Sequence, residues 1–249
     1  DIVITLDRTG TMSPPVVNGH TPLANAQEAR RVLRGFRSPK TESIALAVLG
    51  PSDEAKTCSG ANAGAYGLPA ASDVTAATNK WMVAPYPLAT PAKDYQNANG
   101  TLNTGSQIVK TVNCLTFANR TDLGDPIAAA TSYLNTYGRA GSKRGIILMT
   151  DGDNTQNRWS SSSSVIDART SKACDNVTAA NLKLYTVRVI DGNATLLKGC
   201  ATQPARYSDV DPALELTSVS SPIAQNLPHP RRTPLAPHST RPPPPPPPP

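Results

Sequence analysis

Short apolar runs alternate with amphipathic segments along most of the chain. The runs have the length and β-branched composition of buried strands, and they lie at 1–7, 42–50, 145–151, 184–190 and 205–210. The amphipathic segments have apolar residues at helical spacing, and we predict helices at 22–37, 106–117, 126–137, 165–182, 194–200 and 212–227. Such alternation predicts an α/β fold: a doubly wound, mostly parallel central sheet with helices on both faces.

Two regions depart from this alternation. Residues 51–104 are rich in Gly, Ala, Ser, Asn and Pro, with only 81–88 resembling a strand, so we predict a long surface insertion in a single domain spanning 1–227. Residues 228–249 end in the proline run Pro242–Pro249, which is typical of an extended, disordered tail or of a low-complexity or frame-shifted sequence. Because the chain begins inside a strand, we expect upstream sequence, including a signal or anchor, to precede it.

Composition argues against two classes of function. The net charge is only +6, aromatic residues make up 4% of the chain, and the basic residues are spread rather than clustered. We therefore expect no nucleic-acid partner, since binding of single strands needs a basic groove interleaved with stacking rings. The longest apolar runs are also too short for a transmembrane helix, so we predict no membrane span in this chain.

The four cysteines indicate disulfides rather than zinc or redox chemistry. Cys58, Cys114, Cys174 and Cys200 form no Cys-x-x-Cys pair and have no histidine nearby. Three pairings are possible. We favour Cys58 with Cys114 and Cys174 with Cys200, because each bridge would clip a segment flanking one half of the sheet. The alternative is four buried, reduced thiols.

Oxygen-bearing side chains follow two predicted strands and precede one helix. Asp7, Thr9 and Thr11 alternate directly after the first strand, Thr121 stands ahead of the helix at 126–137, and Asp151 ends the strand at 145–151. Open α/β sheets bind ligands at the carboxyl ends of their strands, so we expect these residues to converge. Carboxylate and hydroxyl oxygens suit a hard divalent cation, and we predict Mg²⁺ or Mn²⁺.

Three further aspartates lie near these loops. We interpret Asp125 as the N-terminal cap of the helix at 126–137, with Pro126 at its first helical position. Asp122 and Asp153 either support the metal ligands through hydrogen bonds or are simply exposed.

The pattern Asp7-Arg8-Thr9-Gly10-Thr11, then Thr121, then Asp151 resembles the metal-ion-dependent adhesion site of von Willebrand factor type A domains. That site has Asp-x-Ser-x-Ser, a distant Thr and a distant Asp, and threonine here replaces both serines. In that family the hydroxyls bind the cation, the aspartates hold it directly or through water, and an open position accepts a carboxylate from a protein ligand. The resemblance implies a protein-binding module, not an enzyme, located outside the cell or at its surface.

Other stretches are similar to the bacterial secreted or surface form of this domain found in Tad-type pilus-assembly proteins. They lie at 145–152, 184–187, 196–201 and 223–227. This narrower resemblance implies a role in pilus or cell-surface assembly.

Two alternatives remain open. The stretch from Asp7 to Met12 also resembles the Asp-Lys-Thr-Gly-Thr-Leu phosphorylation motif of P-type ATPases and, more loosely, the haloacid-dehalogenase-like phosphatases, which would make Asp7 a nucleophile. However, Thr155 stands where the downstream acidic pair of such enzymes needs a second aspartate. The other alternative is a pilus-associated surface component with a vestigial metal site, whose partner binding would survive chelation.

Overall fold

The computed structural model describes residues 1–9, 43–49, 52–53, 60–62, 70–71, 94–115, 120–157, 159–189 and 191–210. Several predictions lie outside these residues: the helices at 22–37 and 212–227, the strand-like stretch at 81–88, the tail at 228–249, and the residues Thr11 and Cys58.

Five strands form the central sheet. They are β1 (Ile2–Leu6), β2 (Ile44–Val48), β5 (Gly145–Thr150), β6 (Lys183–Val189) and β7 (Tyr207–Val210), whereas β3 (Ser52–Asp53) and β4 (Ala70–Ala71) form a separate antiparallel pair. The order across the central sheet is β2-β1-β5-β6-β7, and every neighbouring pair in it is parallel. The predicted doubly wound α/β fold is confirmed.

Helices cover both faces of this sheet. On one face α1 (Gln107–Asn113) packs with the side chains of β1 that include Ile2, Ile4 and Leu6. On the other face lie α2 (Gly124–Tyr137), α3 (Ser163–Ala179) and α4 (Ala194–Cys200). Every residue of β1, β2 and β5 is buried as a result, which explains their continuous apolar sequences. Each fully buried aliphatic side chain contributes about 1.5–3 kcal/mol.

The strand order creates a crevice between β1 and β5. These two strands are paired, with Leu6 opposite Met149, and the Asp7 amide donates a hydrogen bond to the Met149 carbonyl over 2.9 Å. The sequence continues from β1 to β2 on one side of this pair and from β5 to β6 on the other. Connections that diverge in this way leave a cleft at the carboxyl ends of the two strands, where doubly wound proteins bind ligands.

The start of α2 differs from the prediction. The helix begins at Gly124 after Leu123, so the interpretation of Asp125 as its cap is wrong, and Pro126 is its third residue rather than its first. The physical reason is Asp122, whose Oδ1 accepts a hydrogen bond from the Gly124 amide over 2.9 Å. This bond satisfies an amide that has no partner within the helix, and Asp125 falls in the first turn.

Part of the predicted surface insertion belongs to the core. Tyr95 is fully buried and packs in the same cluster as α1 and β1, with Leu102 against it. Most of 94–104 is exposed, as predicted for a surface insertion, and the stretch is anchored to the core through Tyr95 and Leu102.

One predicted disulfide is present in full. Cys174 of α3 and Cys200 of α4 are bridged, with 5.1 Å between their Cα atoms. Cys114 is also disulfide-bonded, and its predicted partner, Cys58, lies outside the described residues. The alternative of four reduced thiols is wrong. In the part of the chain that the structure describes, no helix has the length and apolar character needed to cross a membrane.

Candidate metal centre

Asp7 occupies the carboxyl end of β1 and is fully buried. Its Oδ1 accepts a hydrogen bond from the Thr9 amide over 2.8 Å, and its Oδ2 accepts one from the Thr150 hydroxyl over 2.5 Å. Burial raises the pKa of this carboxyl, and the hydrogen bonds from Thr150 and Thr9 oppose that rise without cancelling it. Asp7 is thus a carboxylate in a site that favours additional positive charge.

Thr9 and Thr121 meet beside Asp7. Their hydroxyl oxygens lie 2.8 Å apart although the residues are separated by 112 positions, and both side chains are fully buried. In such a pair one hydroxyl donates a hydrogen bond to the other, and both oxygens keep lone pairs that could bind a cation. The fold therefore brings two of the predicted ligands together next to a third.

The loop after β5 fixes the position of Thr121. The Thr155 hydroxyl accepts a hydrogen bond from the Thr121 amide, and the Thr155 amide donates one to the Thr121 carbonyl, each over 2.9 Å. The neighbouring Asn154 accepts a hydrogen bond from the Leu123 amide over 2.8 Å. Both backbone groups of Thr121 are thus held by one residue, which sets where its side chain lies.

A partly buried network extends from this loop to α3 and α4. Asn154 donates to Asp167 over 2.7 Å and to the Thr170 hydroxyl over 3.1 Å. Asp167 in turn accepts a hydrogen bond from Asn193 over 3.1 Å, and Asn193 caps α4 by accepting the Leu196 amide over 3.0 Å. Asp167 therefore connects the loop after β5 to the loop after β6.

Gly192 allows the loop after β6 to approach the loop after β5 closely. Its φ is +106°, a conformation that other residues rarely adopt. A Cβ atom here would lie 3.1 Å from the carbonyl oxygen of Gly152, the residue that follows Asp151. The peptide next to the predicted ligand Asp151 is thus packed against a second loop.

The predicted site residues can now be placed. Asp7, Thr9 and Thr121 lie together, and Asp151 directly follows β5, half-buried, next to the Thr150 that binds Asp7. Thr11 lies outside the described residues. Within those residues no group of three His, Cys, Asp or Glu side chains clusters, so a metal here would depend on hydroxyls as well as carboxylates.

Two aspartates near the site have contrasting surroundings. Asp122 is almost fully buried and binds the Gly124 amide, whereas Asp153 is exposed. Asp122 therefore supports the turn that follows Thr121.

Sequence reasoning missed the residues that position the ligands: Thr150, Asn154, Thr155 and Asp167. Thr150 could have been recognised from the sequence, because it is a polar residue at the end of an otherwise apolar strand. The partners of the other three are remote or backbone groups, which leave no local pattern.

Structural comparison identifies the fold. No protein-family model matches the sequence, and no curated protein matches it. Among solved structures, the chain is similar to the pilus adhesin SpaC of Lactobacillus rhamnosus GG in its open conformation (13% identity, TM-score 0.58, 91% of this chain and 30% of that one). It is also similar to the von Willebrand domain of the type V pili tip protein of Porphyromonas gingivalis (12% identity, TM-score 0.54, 91% and 94%).

The chain has the von Willebrand factor type A fold.

A third similar structure is proximal thread matrix protein 1 from the mussel byssus, at 11% identity and a TM-score of 0.57. The chain covers 91% of its own length there and spans about half, 47%, of the mussel protein. The type A fold therefore corresponds to a part of that protein and of the adhesin, but to nearly all of the pilus tip domain. At these identities the likeness concerns the fold.

Proposed function

We propose that the chain is a metal-dependent protein-binding module. Mg²⁺ or Mn²⁺ would be held by Asp7, Thr9, Thr11, Thr121 and Asp151, and an open coordination position would take a carboxylate from a partner protein. The bound cation supplies an electrophilic centre for that carboxylate. The proposed activity is the reversible binding of a partner protein, without catalysis.

The observation that carries this proposal is the contact between the Thr9 and Thr121 hydroxyls beside the buried Asp7 carboxylate. Burying a carboxylate costs free energy unless positive charge or strong hydrogen bonds compensate. Asp7 accepts hydrogen bonds from the Thr9 amide and the Thr150 hydroxyl, yet burial still raises its pKa. A divalent cation bound by Asp7 and by the two hydroxyls would compensate that cost.

Neighbouring residues orient the atoms that would bind the cation. Thr150 and the Thr9 amide orient the two oxygens of Asp7, and Thr155 fixes the Thr121 backbone. The contacts to Asp7 are buried and those of Thr155 are partly buried, so the hydroxyl and carboxylate oxygens are positioned before a cation arrives. Such preorganisation lowers the entropy cost of binding.

An extracellular or cell-surface setting fits the same proposal. Cys114, Cys174 and Cys200 are all disulfide-bonded, and disulfides persist in oxidising compartments. Two of the similar structures come from pilus proteins, one an adhesin and one a tip protein. A role in pilus or surface assembly, as in Tad-type proteins, is the narrower form of the proposal.

The loop after β5 disfavours the phosphoryl-transfer alternative. Enzymes of that kind need a second acidic residue at position 155 to bind Mg²⁺. Thr155 stands there and bonds the backbone of Thr121 through its hydroxyl and its amide.

Calorimetric titration of the metal-stripped full chain with Mg²⁺ and with Mn²⁺ tests the proposal. We expect saturable binding at one site, and we expect Asp151→Ala to abolish it. The matched control is Asp175→Ala, which removes the same charge from the exposed surface of α3 and should bind as the wild type does. Absence of binding to the wild type would refute the metal-dependent mechanism and favour the vestigial site.

A further inference from the structure

An exposed tryptophan stands in the loop that begins at the predicted ligand Asp151. Trp159 is 53% exposed, although large aromatic side chains usually avoid water. Its position is nevertheless fixed, because Asn157 accepts hydrogen bonds from the Trp159 and Ser160 amides over 2.9 and 2.8 Å. Asn157 also donates its own amide to the Ser160 carbonyl, which closes the turn.

The guanidinium of Arg169 contacts the indole ring of Trp159. The guanidinium carbon of Arg169, on α3, lies 3.8 Å from the ring centroid, within the range of a cation–π contact. The side chain of Arg169 remains 43% exposed. A guanidinium that stacks on a ring can still donate hydrogen bonds from its edge.

The hydrogen-bonding capacity of Arg169 is largely unused. Among the residues that the structure describes, its charged contact is with Asp125 at 3.8 Å, which is too long for a hydrogen bond. Lys172 follows one turn later and is exposed. Arg169 and Lys172 line a groove of about 220 Å³ between α2 and α3, with small side chains such as Ala128 and Ala173 in its floor.

This groove lies next to the candidate metal centre. Arg169 precedes Thr170, whose hydroxyl binds Asn154 in the loop that positions Thr121. The Cα atom of Thr170 lies 3.4 Å from the point where Gly124 would carry a Cβ, and Gly124 begins the helix three residues after Thr121. The helix that carries Arg169 is therefore in direct contact with the loop and the helix start that position Thr121.

Resting on the proposed function, we propose that the partner segment is diacidic: one carboxylate binds the metal, and a second binds the guanidinium of Arg169 on the Trp159 platform. A planar guanidinium pairs with a carboxylate through two parallel hydrogen bonds. Exposed aromatic and arginine side chains held rigidly are typical of the residues that dominate protein interfaces. Lys172 adds positive charge on the same side.

Labelled peptides test this inference with the full chain. The probes are N-acetylated, C-amidated peptides in which Asp and Glu are separated by zero to four glycines, each paired with a peptide that carries Gln instead of Glu. Fluorescence anisotropy is measured with Mg²⁺ and with chelator. We expect the best diacidic peptide to bind about threefold to tenfold more tightly than its Gln partner when Mg²⁺ is present.

The variants separate this role from a purely structural one. Arg169→Gln and Trp159→Ala should remove the diacidic advantage without changing the affinity for Mg²⁺ or for the Gln peptides. Asp125→Asn should increase the advantage, because it removes a competing carboxylate. Lys143→Gln, which removes an exposed charge at the opposite edge of the sheet, is the control and should have no effect.

The outcomes distinguish the two proposals. Equal Mg²⁺-dependent binding of both peptide classes, or a diacidic advantage that survives Arg169→Gln, overturns the role of Arg169 and leaves the metal-dependent module intact. No Mg²⁺-dependent binding of any peptide overturns both.

Discussion

The first strand carries a buried aspartate at each end, and the two are stabilised in different ways. At the amino end, the carboxylate of Asp1 is only 1% exposed and pairs with the Arg139 guanidinium, including a 2.7 Å hydrogen bond from its Nε. The Arg139 amide and the Ser142 hydroxyl complete its shell. At the carboxyl end, Asp7 accepts hydrogen bonds from the Thr9 amide and the Thr150 hydroxyl.

The difference separates a structural carboxylate from a binding one. The Arg139 guanidinium is the counter-ion of the Asp1 carboxylate, so this carboxylate needs no ion from solution. Burial raises the pKa of Asp7 despite its hydrogen bonds from Thr9 and Thr150. We attribute the arrangement at this end to the proposed metal site. Substitutions at the two aspartates and at Thr121 separate these two roles.

Asp7→Asn should weaken Mg²⁺ binding by about 100-fold or more, because it removes the ligand charge while keeping the shape. The metal-free variant should be at least as stable as the wild type at neutral pH, since a buried charge is gone. Calorimetric titration measures the first effect and urea unfolding the second. A variant that binds Mg²⁺ normally would show that Asp7 has a structural role like that of Asp1.

Thr121→Val should weaken Mg²⁺ binding by about 10-fold to 100-fold, because it removes the hydroxyl that meets Thr9. Thr121→Ser retains that hydroxyl and should bind nearly as well as the wild type. Equal affinities in all three proteins, measured by the same titration, would exclude the Thr121 side chain from the site.

Asp1→Asn should lower the free energy of unfolding by about 1–3 kcal/mol, because the buried charge-assisted bonds to Arg139 and Ser142 are lost. The affinity for Mg²⁺ should not change. Urea unfolding of the metal-free protein measures the loss. A change in Mg²⁺ affinity would mean that the two ends of β1 are coupled.

The smallest expected effect is a pH-dependent stability difference between Asp7→Asn and the wild type, both metal-free. The folded pKa of Asp7 lies above the ordinary value of 3.8, so the folded wild type retains a proton that the unfolded chain releases. As pH rises through this window the wild type loses stability relative to the variant, and below the window the difference is constant. Unfolding curves at a series of pH values measure it, and a difference independent of pH would contradict the assignment.

The sequence predicted the regular part of the fold well, for identifiable reasons. Continuous apolar runs located β1 and β5, because strands covered on both faces have no polar alternation. The helix predicted at 194–200 was found with those bounds. Cys174 and Cys200 were paired correctly, since the bridge connects two helices on the same face of the sheet.

The contacts that orient the candidate site were not predictable in the same way. Thr155 binds the backbone of Thr121, 34 positions away, and Asn154 binds that of Leu123, 31 positions away. Such contacts depend on how separate loops are packed, which no local pattern encodes. The prediction that Asp125 caps the helix was wrong because the helix begins one residue before it, at Gly124. Asp122 accepts the hydrogen bond of that first amide.

Anomalous X-ray diffraction from crystals of the chain grown with Mn²⁺ would locate the metal itself. We expect a manganese peak between the loop of Asp7 and Thr9, the Thr121 hydroxyl and the Asp151 carboxylate. A strong peak elsewhere on the protein, with none at this edge of the sheet, would contradict it.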